Sequence, residues 1–290
     1  MSASAGTRSA MRTALLTALA MLAFAANSLL CRLALQAPAL IDPASFASVR
    51  LVSGAIALAL VMRLRAGPRA QAAADWPSAW MLFAYAALFS FAYVSLGAAS
   101  GALVLFGAVQ LTMFSAGMFA GERFGQAGWL GFALAVAGLV YLVSPGLSAP
   151  PAAGVALMAG AGIAWGVYSL RGRRAADPLS VTAGNFARAV PLALCMSLVL
   201  ATQARVEVHG VVLAVVSGAL TSGIGYVVWY AALSGLSAMR AATVQLSVPP
   251  IAALGGVPLL AEPITLRLAL ASIAILGGIA LVLRSRARSR

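Results

Sequence analysis

Ten apolar runs of about 20 residues each fill this chain, and only short loops separate them. They cover 13–33, 44–63, 76–96, 99–119, 126–144, 152–171, 179–200, 209–231, 238–260 and 266–284. A bilayer core about 30 Å thick takes ~20 residues of helix at about 1.5 Å each. Lipid offers no hydrogen bonds, so a spanning segment must be a helix or part of a closed barrel. Barrel strands alternate over ~10 residues, whereas these runs are continuous and longer, so helices are expected. Soluble domains carry about 25% charged residues; this chain carries 9%, with 62% hydrophobic. The expected fold is an all-α integral membrane protein with ten transmembrane helices and almost nothing left for a soluble domain.

The net charge of +13 suggests nucleic acid until its positions are read. All 19 basic residues are arginine. Arg8 and Arg12 precede the first run, Arg63, Arg65 and Arg69 follow the second, and Arg123 follows the fourth. Arg171, Arg173 and Arg174 follow the sixth, Arg240 the eighth, and Arg284, Arg286, Arg288 and Arg290 the tenth. All fourteen share one side if the chain starts in the cytoplasm, while Arg205 and Arg267 lie in opposite loops. This positive-inside bias, with an even number of runs, places both termini in the cytoplasm of a cell whose inner membrane holds the protein. The arginines then face lipid headgroups, and no nucleic-acid partner is expected. Residues 8–26 also have the layout of a signal peptide, but the run has a counterpart in the second half, which favours a span. Cys31 and Cys195 lie in apolar runs and read as buried, inert thiols.

The loop SPGLSAPP at 144–151 is uncharged, proline-rich and central. Tracts on either side of it correspond: YVSLGAASGALVLFGAVQLTM from Tyr93, and YAALSGLSAMRAATVQLSVPP from Tyr230. Each begins Tyr-x-x-Leu at a run's end, crosses a small-residue turn and enters a run that ends at an acid, Glu122 or Glu262. Counting back twelve from each acid reaches Gln110 and Pro250. Arg50 matches Arg188, and Phe46 falls near Phe186. The units, 1–145 and 146–290, hold five runs each; five is odd, so the second enters the membrane from the opposite side. Inverted repeats of this kind are typical of secondary transporters, with the substrate near the midplane.

The Asn27-Ser28 region, Arg50, "GE" at 121–122, "PP" at 249–250 and "AEP" at 261–263 carry a resemblance. The chain resembles the drug/metabolite transporter superfamily, in particular its ten-helix EamA-type members, and within it most resembles the YddG-type amino-acid exporters. The resemblance implies a central cavity surrounded by helices 1, 3, 4, 6, 8 and 9, and export of small metabolites. It covers nearly the whole chain but is specific for fold rather than substrate. Gln110 departs from it, since family members often carry proline at that place in helix 4.

The six acids, Asp42, Asp75, Glu122, Asp177, Glu207 and Glu262, all lie in loops or at run ends. An intramembrane carboxylate is the usual mark of a proton relay; without one, a facilitator or exchanger is expected. No His, Cys or carboxylate cluster has metal spacing, and no nucleophile–base pair suggests itself, so neither a cofactor nor an enzyme is expected. His209, at a run start, reads as interfacial. Arg50 and Arg188 are charges well inside runs, read as bracing for helix-end carbonyls or as counter-charge for an anionic substrate group.

Mid-run amides both donate and accept, which makes Asn27, Gln110 and Gln245 candidate substrate contacts; Asn185 lies close enough to Arg188 to satisfy it. Tyr85, Phe89 and Tyr93 recur every four residues on one stripe. Trp165 and Tyr168 are a turn apart and read as pocket walls; Tyr226 and Tyr230 follow in the eighth run with Trp229. Tyr93 and Tyr230 also suit a gate or an interfacial belt, and Trp76, Trp80 and Trp129 suit the belt. Gly97, Gly101, Gly107, Gly218, Gly223, Gly225, Gly255 and Gly256 are expected where helices approach closely. Pro249, Pro250 and Pro258 interrupt the ninth run, the first two as a hinge, and Glu122 and Glu262 precede new helices, where their charge suits the dipole.

These features point to a carrier of small amphiphilic metabolites, amino acids first and aromatic ones among them, working by alternating access. A sugar-phosphate or nucleotide-sugar exchanger would want basic residues inside helices 4 and 9, which hold none. A lipid-linked carrier flippase would need a lateral opening, and a pore or scaffold would lack saturable flux. A monomer is expected, since a duplicated carrier needs no partner; a dimer is the alternative.

Overall fold

The computed structural model describes residues 2–65, 74–119, 125–144, 149–172, 175, 177–233 and 244–284. The helices are α1 (Ser2–Leu35), α2 (Pro43–Leu64), α3 (Trp76–Tyr93), α4 (Ala98–Phe119) and α5 (Gln126–Val143). They continue with α6 (Ala152–Gly172), α7 (Pro178–Val199), α8, α9 (Val248–Leu260) and α10 (Leu266–Arg284). Helix α8 has three consecutive stretches: Val208–Val216, a π-helical Ser217–Ile224, and Gly225–Leu233. Each helix overlaps one expected run, although α1 starts well before the first run and α9 covers only the latter part of the ninth. Six of them contain spans long and apolar enough to cross a membrane, in α1, α2, α4, α6, α7 and α8; three shorter apolar helices lie at Gln126–Leu142, Val248–Leu260 and Leu266–Val282. Among the described residues the sole β feature is an isolated bridge between Ile41 and Val206.

Three helix starts share one local device. Asp42 precedes Pro43 and accepts from Ala44 N at 3.0 Å and Ser45 N at 2.9 Å. Asp75 caps α3 through Ser78 N at 2.6 Å, and Asp177 caps α7 through Ser180 N at 3.3 Å, each with proline in the first turn. A carboxylate satisfies first-turn N–H groups that have no partner inside the helix, and proline lacks the N–H that would go unmet there. All three of the chain's aspartates thus cap the helix that follows them.

Helix packing follows a regular scheme. α5 lies against α10, α2 against α7 and α4 against α9; α3 packs on α6 and α7, α4 on α6, and α1 and α2 on α8. α1 also packs on α9. The closest approaches are glycine-mediated. A Cβ at Gly218 would collide with Ser53 Oγ and the Arg50 carbonyl, so α8 meets the backbone of α2 there. Gly131 and Gly278 face each other's carbonyls between α5 and α10. The glycines expected at crossings do not include that second pair, and Gly107 and Gly256 make only ordinary contact distances. Outward faces are apolar: Leu15, Leu19 and Leu22 of α1, Leu194 and Leu198 of α7 and Ile273 of α10 are exposed, as are Trp76, Trp80 and Trp129. Cys31 is buried as expected, but Cys195 sits on an outward face.

Loop contacts sort the helix ends into two faces. Arg65 holds Asp177 at 2.7 Å and Arg171 reaches Asp75 at 3.2 Å, joining α2–α3 to α6–α7. Asp42 N donates to Arg205 O at 2.8 Å and Glu207 N to Leu40 O at 2.9 Å, joining α1–α2 to α7–α8 on the other face. That second face also carries a four-helix latch. Arg32, at the end of α1, pairs with Glu262 at 2.9 Å and donates to Tyr93 O at 2.9 Å and Val94 O at 3.1 Å. Glu262 accepts from Ala98 N at 2.7 Å, capping α4. Glu262 was expected to serve the helix that follows it; it serves α4 instead, because Ala261 takes a left-handed turn (φ 52°) that folds the chain back. Glu122 and the 234–243 part of the second tract lie outside the described residues.

Candidate functional site

Arg50 lies mid-way along α2 with only 2% of its surface exposed. Its Nε donates to Ser222 Oγ at 3.1 Å and its Nη2 to Tyr85 Oη at 3.0 Å. The guanidinium carbon stands 5.1 Å from the Tyr85 ring centre and 5.0 Å from that of Phe89. The quadrupole of an aromatic face attracts a cation, so two rings and two hydroxyls stand where a carboxylate would otherwise be needed. Nη1 is buried without a hydrogen-bond partner.

Around Arg50 the side chains form a narrow slit between six helices. Phe24, Asn27 and Ser28 come from α1, Tyr85 and Phe89 from α3, Leu105 and Phe106 from α4, Trp165 from α6, and Thr221, Ser222 and Tyr226 from α8. The space between atoms is about 370 Å³, its open end included, yet its centre has room for about one water. Trp165 is the keystone of the aromatic wall, 4.9 Å from Tyr85 and 5.1 Å from Tyr226 between ring centres. Phe24 and Phe186 set their edges on Tyr226 at 6.2 and 5.9 Å. Asn27 Oδ1 accepts from Ser217 Oγ at 2.7 Å and Thr221 Oγ1 at 3.2 Å, tying α1 to the π-helical stretch. A π turn leaves extra width and re-aims side chains, and such turns recur at functional sites; here it carries Thr221 and Ser222 to the slit.

Of the expected site residues, the slit gathers Asn27, Tyr85, Phe89, Trp165, Tyr226 and Arg50. Five expected contacts lie off its lining. Tyr93 is fully buried under α4, its hydroxyl 3.3 Å from Ala98 O. Tyr168 stacks behind Trp165 at 5.6 Å and faces away toward Asn185 and Thr182. Tyr230 lies 3.4 Å from Thr182 Oγ1 at the end of α8. Gln110, one turn beyond Phe106 on α4, is buried with Nε2 unpartnered. Gln245 is half-buried in the helical pair ahead of α9. The cavity was expected to include helix 9 and not helix 2; α2 contributes through Arg50 and α9 contributes nothing.

Three pairings also differ from expectation. Arg188 is not the twin of Arg50: it is half-buried and donates to Gly184 O on its own helix at 3.2 Å. Asn185 does not satisfy it, and its Oδ1 has no partner. Pro249 and Pro250 occupy the first turn of α9 rather than its interior; the interruption falls in the turn at 246–247 before them, and Pro258 is the internal proline. The latch residue Arg32 went unnoticed, its signal being an arginine at a run end with a free acid at another.

A protein-family model, the EamA-like transporter family, matches residues 152–284. "Uncharacterized protein PA1977" of Pseudomonas aeruginosa is 54% identical over 275 residues, 95% of this chain and 96% of that protein. The chain thus carries an EamA-like transporter domain in its second half and is a relative of PA1977 over nearly its whole length. That domain supports membership of the drug/metabolite transporter superfamily, and with six helices long and apolar enough to cross a membrane it supports a multi-pass membrane protein. A crystal structure of a protein 20% identical to this chain aligns over 93% of this chain and 96% of that one, with a TM-score of 0.63; at that identity the likeness concerns the fold.

Proposed function

We propose that the protein is a ten-span carrier of the inner membrane that exports small metabolites, amino acids foremost, by alternating access around the Arg50 slit. Its repeats, 1–145 and 146–290, lie inverted, with both termini in the cytoplasm, and it works as a monomer. The packing scheme supports the duplication: exchanging each helix for the one five places on turns α3–α6 into α8–α1, α4–α6 into α9–α1, and α2–α8 into α7–α3, all of which pack. The loop contacts support the alternation, since each joins loops of the same parity.

The observation that carries the substrate reading is a buried slit combining aromatic walls, an amide, hydroxyls and an arginine, with no carboxylate in its lining. Such a lining suits an amphiphile with an apolar body and a polar head, as the YddG-type exporters would require. A phosphate dianion would want more than one cation. Pro249 and Pro250, with the turn before them, serve as the hinge of α9, while Gln110, Gln245, Tyr93, Tyr168 and Tyr230 act from behind or beside the slit as it opens. The test is counterflow into proteoliposomes with a panel of labelled metabolites, with and without a pH gradient. Saturable flux of amino acids, aromatic ones included, is expected; flux of none, or flux that never saturates, overturns the reading.

A further inference from the structure

Resting on that carrier reading, we infer that the slit recognises its substrate by a carboxylate on Arg50 Nη1, and that it holds no site for an ammonium. Four ion pairs occur among the described residues, Arg32–Glu262, Arg65–Asp177, Arg171–Asp75 and Arg205–Glu207, all at helix ends and none involving Arg50. The charge of Arg50 is buried without a counter-ion, a costly arrangement in a membrane interior. Of its five donors, those on Nη1 are unused. An anion on Nη1 would meet both needs, and a guanidinium matches the geometry of a carboxylate.

An ammonium finds no carboxylate in the lining to pair with. Asn27 Oδ1 already lies within bonding distance of Ser217 and Thr221. Tyr85 Oη and Ser222 Oγ already accept from Arg50. Two of the aromatic faces that could attract an ammonium, those of Tyr85 and Phe89, are taken by the guanidinium itself, whose unpaired charge would repel a second cation. The slit thus holds an uncompensated positive charge with unused donors, and no negative group in its lining to offset it. Trp165, Tyr226, Phe24 and Phe106 then enclose the apolar part of the ligand.

The substrate class is therefore a monocarboxylate with an aromatic or bulky apolar body, its amino group tolerated but not recognised. The test needs no variant: phenylalanine counterflow by the wild-type protein, in competition with 3-phenylpropionate, which lacks the amine, and phenethylamine, which lacks the carboxylate. The acid should compete within a few-fold of phenylalanine, and the amine at least about tenfold more weakly, the worth of one charge-assisted hydrogen bond. An amine as effective as the acid overturns the inference and leaves the carrier reading intact. Conversely, 3-phenylpropionate raising the melting temperature in detergent, with no saturable flux of any substrate, upholds the inference and removes the carrier reading. Arg50→Lys and Arg50→Gln, verified as folded by size exclusion, add a second readout: the preference for acid over amine should shrink in the first and vanish in the second. A preference unchanged in folded Arg50→Gln refutes the assignment.

Discussion

Trp165 touches both Tyr85 and Tyr226, so its removal opens the aromatic wall at two joints at once. Aromatic pairs contribute about 0.5–1.5 kcal/mol each beyond burial. Trp165→Ala should therefore raise the KM of counterflow by about twofold to tenfold for each of these ring pairs that it dissolves. Gln245→Ala, lying off the slit, should alter kcat before KM; a rise in KM equal to that of Trp165→Ala would place Gln245 against the substrate. At this scale the sequence revealed residue types better than partners. Asn27, Tyr85, Phe89, Trp165 and Tyr226 were legible because polar and aromatic side chains mid-run stand out against the aliphatic ones that face lipid, though the same rule also picked Gln110, Tyr168 and Gln245, which lie off the slit. Arg50 was legible as a buried charge with two readings, bracing or counter-charge, but its partners were not, because Ser222 and Tyr85 lie on other helices. Arg32 and Glu262 are 230 residues apart, with no spacing rule to join them.

Helices α5 and α10 meet backbone to backbone at Gly131 and Gly278 and contribute nothing to the slit. Gly131→Val forces the Gly278 carbonyl away, and overpacking of this kind costs about 1–3 kcal/mol. A lower melting temperature in detergent with unchanged KM is expected; a changed KM would show that this pair steers the slit. The latch makes the complementary case. Glu262→Gln keeps a cap for α4 but removes the charge that holds Arg32, so a destabilisation of about 1–2 kcal/mol is expected, read as the drop in thermal midpoint. Helix positions were the most legible layer, since an apolar run of bilayer length admits little else. The π-helical stretch of α8 was not. SGALTSGI carries no periodic mark of an added residue, and the wide turn arises where Gly218 presses on α2 while Ser217 and Thr221 reach for Asn27.

Among the described residues the bundle keeps its carboxylates at its two faces, which separates the pH dependence of stability from that of transport. At Asp75 and Asp177 partial burial pushes the carboxyl up, but hydrogen bonds from Ser78 and Arg171, and from Ser180 and Arg65, together outweigh it and hold both below the ordinary value of 3.8. A lowered folded-state value means that these interactions stabilise fully above that range and fade as pH falls through the still lower folded values. Melting temperature should therefore decline on acidification below the ordinary carboxylate range, and Asp75→Asn with Asp177→Asn should flatten that decline. Counterflow, with no carboxylate in the slit to carry a proton, should keep the same rate whether or not a pH gradient is imposed. Its closed centre matters for the cell as well. A core that accommodates about one water cannot support a file of them, so the slit in this conformation offers protons no continuous wire, and proteoliposomes without substrate should hold an imposed pH gradient.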